Sequence, residues 1–175
     1  RENIEKVIDY MEKHGFFSYH CHRHHHYDRG LADHAWQTYQ IALRLDTERC
    51  ANNPNAKKYD KDSIAICALL HDLCDCSGMR DITGHGKRSA KLLKTLGFKL
   101  TQEEFFAIRF HMGLKDKKNH PLYYDAKKSQ LCSVVHEADG ISARLHKGYD
   151  EPCKTEDKLE SYLQNITKID CKEII

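Results

Sequence analysis

The sequence predicts an all-α fold, a single compact bundle of about seven helices, and three observations favour it. Only three prolines and nine glycines interrupt the chain. Apolar residues recur at spacings of three and four, as on one face of a helix, and no stretch alternates with the period of two that a half-buried strand requires. The 175 residues suffice to bury a core within one domain spanning positions 1–175.

Local signals place the ends of several helices. Asp33 and Thr101 have side chains that favour the N-cap position, and Glu104 would complete a capping box with Thr101. Gly97 is suited to end a helix because glycine readily adopts a left-handed backbone conformation. We predict helices over residues 2–14, 33–49, 61–72, 85–96, 101–111, 128–147 and 155–170.

Ionisable side chains interrupt the apolar faces of four predicted helices. His111 follows the apolar residues Ile108 and Ala107 by three and four positions, and His34 and His85 each begin a helical line that reaches apolar residues seven and eleven positions on. This spacing places all three on the buried side of their helices. Asp139 lies at the edge of the apolar stripe of the helix predicted over 128–147. A single histidine in such a position is usually a hydrogen-bonded core residue, so only the combination indicates a site.

The third predicted helix ends in a more informative pair. Residues 64–70 are apolar all round, which is typical of a helix at the centre of a bundle. His71 and Asp72 follow at once, and burial of an unpaired carboxylate would cost several kcal/mol. A metal ion is one partner that would compensate the charge of Asp72.

Composition limits the classes of partner. With 28 basic and 26 acidic residues the net charge is only +2, so we expect neither a stable DNA complex nor a membrane surface as partner. Residues 64–70, the longest apolar run, are too short to span a bilayer. We expect no secretory leader before the first helix, and we interpret the eight cysteines as reduced thiols of a cytoplasmic protein rather than as a disulfide framework or zinc site.

Thirteen histidines are the outlier of the composition, and many of them stand together. We interpret the histidine tract, residues 20–26, as the wall of a pocket, with His24 or His25 near a metal. A third metal site or a polar loop are the other interpretations, and an adventitious site for nickel or zinc on a surface loop fits the tract equally well.

The order of these residues resembles the HD-domain superfamily of metal-dependent phosphohydrolases, from about position 19 to 146. The approach HHHYDRGLADH at positions 24–34 is similar to a branch that includes 3′-to-5′ exoribonuclease and relaxase-associated HD domains. The matching segments are 27–34, 69–73, 84–86, 107–113 and 136–139.

The resemblance implies a ligand set. The family's core metal ligands fall on His34, His71, Asp72 and Asp139, and its second-metal ligands fall on His85 and His111. Imidazole and carboxylate ligands of this kind suit Mn²⁺, Fe²⁺, Co²⁺ or Ni²⁺ and tolerate Mg²⁺ or Zn²⁺. We therefore expect one divalent metal site and a second beside it.

The resemblance also implies hydrolysis of a phosphate ester by metal-activated water. We expect a phosphorylated small molecule or a short oligonucleotide as substrate, with a nucleotide or oligonucleotide phosphodiester favoured. Asp72, Asp75 and His85 are the expected catalytic residues. The expected phosphate-binding residues are Arg88, Arg109 and Arg144. The loop 115–124 could form a lid or stack a base, and it could equally be a plain solvent-exposed connection.

Position 75 departs from the family pattern and keeps alternatives open. Many members carry lysine there, whereas Asp75 matches the acidic residue of the 5′-deoxynucleotidase branch; a 5′-nucleotidase-type phosphomonoesterase is therefore the alternative enzyme. Asp75 could instead cap a helix or pair with Arg80.

A nucleotide-sensing module with a non-catalytic metal site is the alternative outside enzymes. Oxygen-dependent chemistry at a di-iron centre is a third option. The sequence leaves the oligomeric state open.

Overall fold

The computed structural model describes residues 1–77, 84–113 and 121–146, and this part of the chain is helical without a β-strand. The all-α prediction is thereby confirmed, while the helix predicted over 155–170 lies outside the described residues. A 3₁₀ helix over Leu73–Ser77 follows the third α-helix. The α-helices are α1 Ile4–Lys13, α2 Gly30–Asn52, α3 Lys61–Leu70, α4 His85–Thr95, α5 Gln102–Phe110, α6 Tyr123–Lys128 and α7 Gln130–Leu145.

Helix α3 lies inside the bundle, as its apolar sequence predicts. It packs against α2, α5 and α7, and Ile64, Cys67 and Ala68 are almost completely buried. Asp60 caps its N-terminus, because its side chain accepts a hydrogen bond from the backbone N–H of Ser63 at 2.7 Å. The buried C-terminus of α3 therefore delivers the next residues of the chain into the interior.

The two N-cap predictions have opposite outcomes. The prediction for Thr101 is confirmed, since its side chain and Glu104 form a capping box at the start of α5. The prediction for Asp33 is wrong, because α2 begins at Gly30 and its N-cap is Arg29, in a left-handed conformation with φ of 68°. Gly30 permits this earlier start, since a Cβ there would lie 1.9 Å from the carbonyl oxygen of His25.

Helix α6 was not predicted and changes the interpretation of the loop 115–124. Tyr123 is buried in the core, with its ring centroid 5.9 Å from that of Phe110. Tyr124 is 67% exposed, so of the two tyrosines only Tyr124 is accessible to a ligand. Residues 114–120 of that loop lie outside the described residues.

Gly97 ends α4 as predicted. Gly97 follows the end of α4 with φ of 75°, and its N–H donates to the carbonyl oxygen of Lys94 at 3.0 Å. The described cysteines form no disulfide with one another, and their reduced state stays a prediction; they are Cys21, Cys50, Cys67, Cys74, Cys76 and Cys132. Among the described helices, none has the length and apolar character needed to cross a membrane.

Gly86 sets the distance between α4 and α5. A Cβ at this position would lie 2.6 Å from the carbonyl oxygen of Ile108 and 2.7 Å from that of Arg109. These contacts are with backbone, which cannot move aside as a side chain can. The absence of a side chain therefore allows the start of α4 to approach the end of α5.

We predict that Gly86→Ala destabilises the protein by about 1–3 kcal/mol, the usual cost of overpacking a close contact. Gly140→Ala in α7 is the matched control, because its Cβ would meet only the guanidinium of Arg144, at 3.3 Å. That variant should be as stable as the parent or gain up to about 1 kcal/mol from helix propensity. Urea denaturation measures both, and equal stability of the two variants would refute the close-approach role of Gly86.

Candidate metal centre

Six ionisable side chains from five helices converge at one buried position. His34 lies in α2 and Asp139 in α7, while His85 is the first residue of α4. His71 and Asp72 directly follow α3, and His111 directly follows α5. The structure thus brings together every residue that the sequence predicted as a metal ligand.

The first group is built around His34 and His71. Their Nε2 atoms lie 3.2 Å apart, and the Nε2 of His34 is 3.2 Å from Oδ1 of Asp139. Oδ2 of Asp72 lies 3.4 Å from the Nε2 of His71 and 3.9 Å from that of His34. Four possible ligand atoms therefore surround one point, as they would around a single ion.

The second group uses the other oxygen of Asp72. The Nε2 atoms of His85 and His111 lie 3.0 Å apart. Oδ1 of Asp72 is 3.5 Å from the first and 3.3 Å from the second. Asp72 therefore stands between the two groups with one carboxylate oxygen toward each.

The chemistry of these donors fits divalent cations. Oδ1 of Asp72 is buried and accepts no hydrogen bond among the described residues. A buried acceptor without a donor costs roughly 1–3 kcal/mol, and a cation bound by this oxygen would remove that cost. The His/Asp groups of the described residues include His34–His71–Asp139 and His71–Asp72–His111, each with ligand atoms within 4.8 Å of one another.

The backbone fixes which nitrogen of two histidines faces the centre. Nδ1 of His71 donates to the carbonyl oxygen of Ala68 at 2.8 Å, and Nδ1 of His111 donates to that of Ile108 at 2.8 Å. A neutral imidazole that carries its proton on Nδ1 has a free lone pair on Nε2, which is the state a metal requires. The Nε2 atoms of both rings could therefore serve as metal ligands.

The charges of the centre compensate one another in part. Burial opposes the charged form of His71, but the nearby Asp72 and Asp139 outweigh it and raise the pKa of His71 to about 9. Burial likewise opposes ionisation of Asp72, but His71 and His85 hold its pKa well below the usual value. The imidazole of His71 and the carboxylate of Asp72 therefore each stabilise the charged form of the other.

Asp75 lies on the 3₁₀ helix at the edge of the second group. It is half-buried, and it forms a possible ligand set with Asp72 and His85, with atoms within 4.8 Å. Burial, and then the charge of Asp72, raise the pKa of Asp75 to about 7, against smaller opposing effects of the Cys74 hydrogen bond and of the charges of His71 and Arg88. The carboxyl group can therefore hold a proton near neutral pH.

The histidine tract lies on the α2 side of the centre. His25 is completely buried, whereas His20, His22 and His26 are exposed. The ring centroid of His24 is 4.5 Å from that of His34. Burial lowers the pKa of His24 to about 4 and that of His25 to about 2, so both rings are neutral at pH 7.

The three arginines predicted to bind phosphate occupy different environments. Arg88 is half-buried in the first turn of α4, and Arg144 is exposed in the last turn of α7. Arg109 is only 4% exposed, and its guanidinium lies 4.8 Å from the ring centroid of Phe110. Packing is therefore the better account of Arg109, while Arg88 and Arg144 are better placed to meet a substrate.

Sequence reasoning missed a buried polar network behind His34. Nδ1 of His34 lies 3.0 Å from Oγ of Ser142, and this hydroxyl lies 3.3 Å from Oε1 of Gln37. Gln37 is three residues after His34 and Ser142 is three residues after Asp139, so the helical spacing places each beside a predicted ligand. That spacing was the available signal, but short polar side chains at helical spacing are too common to be specific.

The comparisons with known proteins agree with this arrangement. The family model described as HD domain matches residues 31–144, more than half of the 175-residue chain. This interval contains all six converging side chains. No significant match was found among curated proteins or among solved structures.

We predict that the metal-free protein binds two divalent ions, one at each group of ligands. A substitution in one group should abolish binding at that group only. His111→Ala should leave one ion bound, because it removes a ligand of the second group only. Asp72→Asn should weaken both sites, because both carboxylate oxygens are involved. Elemental analysis after dialysis against Mn²⁺ or Ni²⁺ measures the stoichiometry.

His14→Ala is the matched control for these variants. His14 is exposed beyond the end of α1, where its Nδ1 donates to the carbonyl oxygen of Tyr10 at 2.9 Å. Its ion content should equal that of the parent protein. The two-group assignment fails if His14→Ala loses as much metal as His111→Ala.

Proposed function

Because the chain belongs to the HD-domain family, we propose that it is a phosphohydrolase that cleaves a nucleotide or oligonucleotide phosphodiester. HD-domain proteins are in general metal-dependent hydrolases that act on phosphorylated substrates. The observation that carries the proposal is the position of Asp72, whose two oxygens face separate groups of histidines. An arrangement of this kind is suited to two metal ions held side by side.

We assign the ligands as the distances suggest. His34, His71, Asp139 and Oδ2 of Asp72 would hold one ion, and His85, His111 and Oδ1 of Asp72 the other. When bound, divalent ions act as Lewis acids that polarise a phosphate and lower the pKa of coordinated water. Few protein ligands for each ion leave positions for water and substrate.

The chain's own residues supply the remaining steps. A phosphodiester has an alkoxide as leaving group, which needs a proton as its bond to phosphorus breaks. Asp75 would donate that proton, and its pKa, raised to about 7 by burial and by Asp72, supports this role. Arg88 and Arg144 would pair with the charged oxygens of the phosphate.

A 5′-nucleotidase-type phosphomonoesterase is the second candidate, and Asp75 is the residue that favours it. The two activities differ in product, since a monoesterase releases inorganic phosphate from mononucleotides and a diesterase shortens oligonucleotides without releasing it. The rival outside enzymes is a metal-binding module that senses a nucleotide without hydrolysing it. For that module, phosphate esters would bind but remain intact.

The proposal is tested with metal-free protein reloaded with Mn²⁺, Fe²⁺, Co²⁺, Ni²⁺, Mg²⁺ or Zn²⁺. Bis-p-nitrophenyl phosphate reports diesterase activity and p-nitrophenyl phosphate reports monoesterase activity, followed by mononucleotides and short RNA and DNA oligomers. We expect metal-dependent turnover of the diester and loss of it to background in Asp72→Asn. The hydrolase proposal is refuted if no metal supports turnover of any of these substrates.

A separate prediction concerns Asp75. Asp75→Asn should slow hydrolysis of a diester with an alkyl leaving group by about 100-fold or more, the usual contribution of a general acid. Cleavage of the nitrophenyl diester should change much less, because nitrophenolate leaves without a proton. Since the acid form of Asp75 disappears as pH rises, the parent rate for the alkyl ester should fall on the alkaline side, and the variant should lack this fall.

Asp62→Asn, at an exposed position in the first turn of α3, is the control for the change of charge. It should leave both rates unchanged. Equal slowing of alkyl and nitrophenyl esters by Asp75→Asn would contradict the role of proton donor.

A further inference from the structure

Gln37 lies at the centre of a buried hydrogen-bond network that joins the histidine tract to the metal centre. It is only 4% exposed. Its Oε1 is 3.0 Å from Nε2 of His25 and 3.3 Å from Oγ of Ser142. Its Nε2 is 3.0 Å from Nε2 of His146, so the amide contacts three different parts of the chain.

The hydrogen bonds of this network determine the tautomer of His34. The amide oxygen of Gln37 can only accept, so the hydroxyl of Ser142 must donate its proton to it. The oxygen of Ser142 is then an acceptor for His34, whose Nδ1 lies 3.0 Å away. Nδ1 of His34 therefore carries the proton, and its Nε2 presents a lone pair toward Asp139 and His71.

His34 thus differs from two other histidines of the centre in how it is held. The rings of His71 and His111 are fixed by carbonyl oxygens of the preceding helical turn, which no substitution removes. The ring of His34 depends on side chains alone, namely Ser142 and behind it Gln37. Its orientation is therefore open to change by mutation.

The same amide fixes the opposite end of the network. Because Oε1 of Gln37 is an acceptor, Nε2 of His25 donates to it and Nδ1 of His25 is left as an acceptor. Nδ1 of His24 lies 3.0 Å from that atom and must donate the proton they share. One glutamine therefore sets the tautomers of His25 and His24 as well as that of His34.

We propose that Gln37 is a positioning residue of the metal centre, which acts through Ser142 to hold His34 in the metal-binding tautomer. This proposal rests on the metal-binding part of the proposed function and deepens it. Gln37 itself contacts neither ion nor substrate. Loss of its amide would free the hydroxyl of Ser142 to donate to His34, and the resulting tautomer would carry its proton on Nε2, where the ion must bind.

The proposal is specific for the first group of ligands. His85 and His111 have no described hydrogen bond to this network. Loss of a residue that orients a metal-ligating histidine typically weakens metal affinity by 10–100-fold. Gln37→Leu and Ser142→Ala should therefore weaken one of two binding events by about that factor and leave the other unchanged.

The test is calorimetric titration of the metal-free full chain with Zn²⁺ and Mn²⁺, with thermal unfolding recorded for each variant. Gln37→Glu keeps an acceptor for Ser142 and His25 and should retain most of the affinity that Gln37→Leu loses. Thr38→Val is the matched control: Thr38 is the next residue of α2, equally buried, and its hydroxyl has no hydrogen-bond partner among the described residues. It should bind both ions as the parent does.

A spectroscopic measurement that does not depend on catalysis distinguishes a positioning role of Gln37 from a general loss of structure. Long-range ¹H–¹⁵N correlation spectra of the zinc-loaded protein should show His34 with its proton on Nδ1. In Ser142→Ala and Gln37→Leu the signal should shift or broaden, while the signals of His85 and His111 remain. Unchanged affinity and spectra in Gln37→Leu would overturn the proposal, as would equal weakening of both binding events.

The outcomes distinguish this proposal from the hydrolase proposal. If the parent binds two ions and Gln37→Leu loses affinity for one, the positioning role stands even when no phosphate ester is cleaved. If the parent cleaves phosphate esters and Gln37→Leu binds both ions equally well, the hydrolase proposal stands and the role of Gln37 is overturned. A parent protein that binds no ion would overturn the positioning role together with the metal-dependent hydrolase.

Discussion

The carboxylate of Asp72 carries a negative charge into a part of the bundle from which water is almost excluded. Such a charge persists only when positive charge or donated hydrogen bonds compensate it. Here imidazoles from three directions surround it, with His71 on one side and His85 and His111 on the other. The C-termini of α3 and α5 must therefore meet the N-terminus of α4, and the rest of the fold holds them in that position.

Two features of the helices make this meeting possible. Helix α3 is apolar enough to lie inside the bundle, so the residues that follow it emerge in the interior rather than at the surface. Gly86 removes the side chain that would separate α4 from α5. Packing thus determines the site. The site in turn explains why an ionisable pair follows α3, the most apolar of the described helices.

The sequence was a good guide where a single local pattern decides the structure. The apolar run before His71 and the capping box at Thr101 depend on neighbours within one or two turns, and both were predictable. The start of α2 was not, because it depends on contact between Gly30 and the carbonyl of His25 rather than on the side chain of Asp33. Networks between helices, such as that of Gln37, require knowledge of which faces meet, and periodicity alone does not supply it.

The most direct measurement of the central claim is anomalous diffraction from crystals grown with Mn²⁺, at wavelengths on either side of the manganese absorption edge. The account predicts two anomalous peaks, one among His34, His71 and Asp139 and the other between His85 and His111. Asp72 should contact both through separate oxygens. A peak confined to the exposed histidines of the tract at 20–26, or no peak within reach of Asp72, would contradict it.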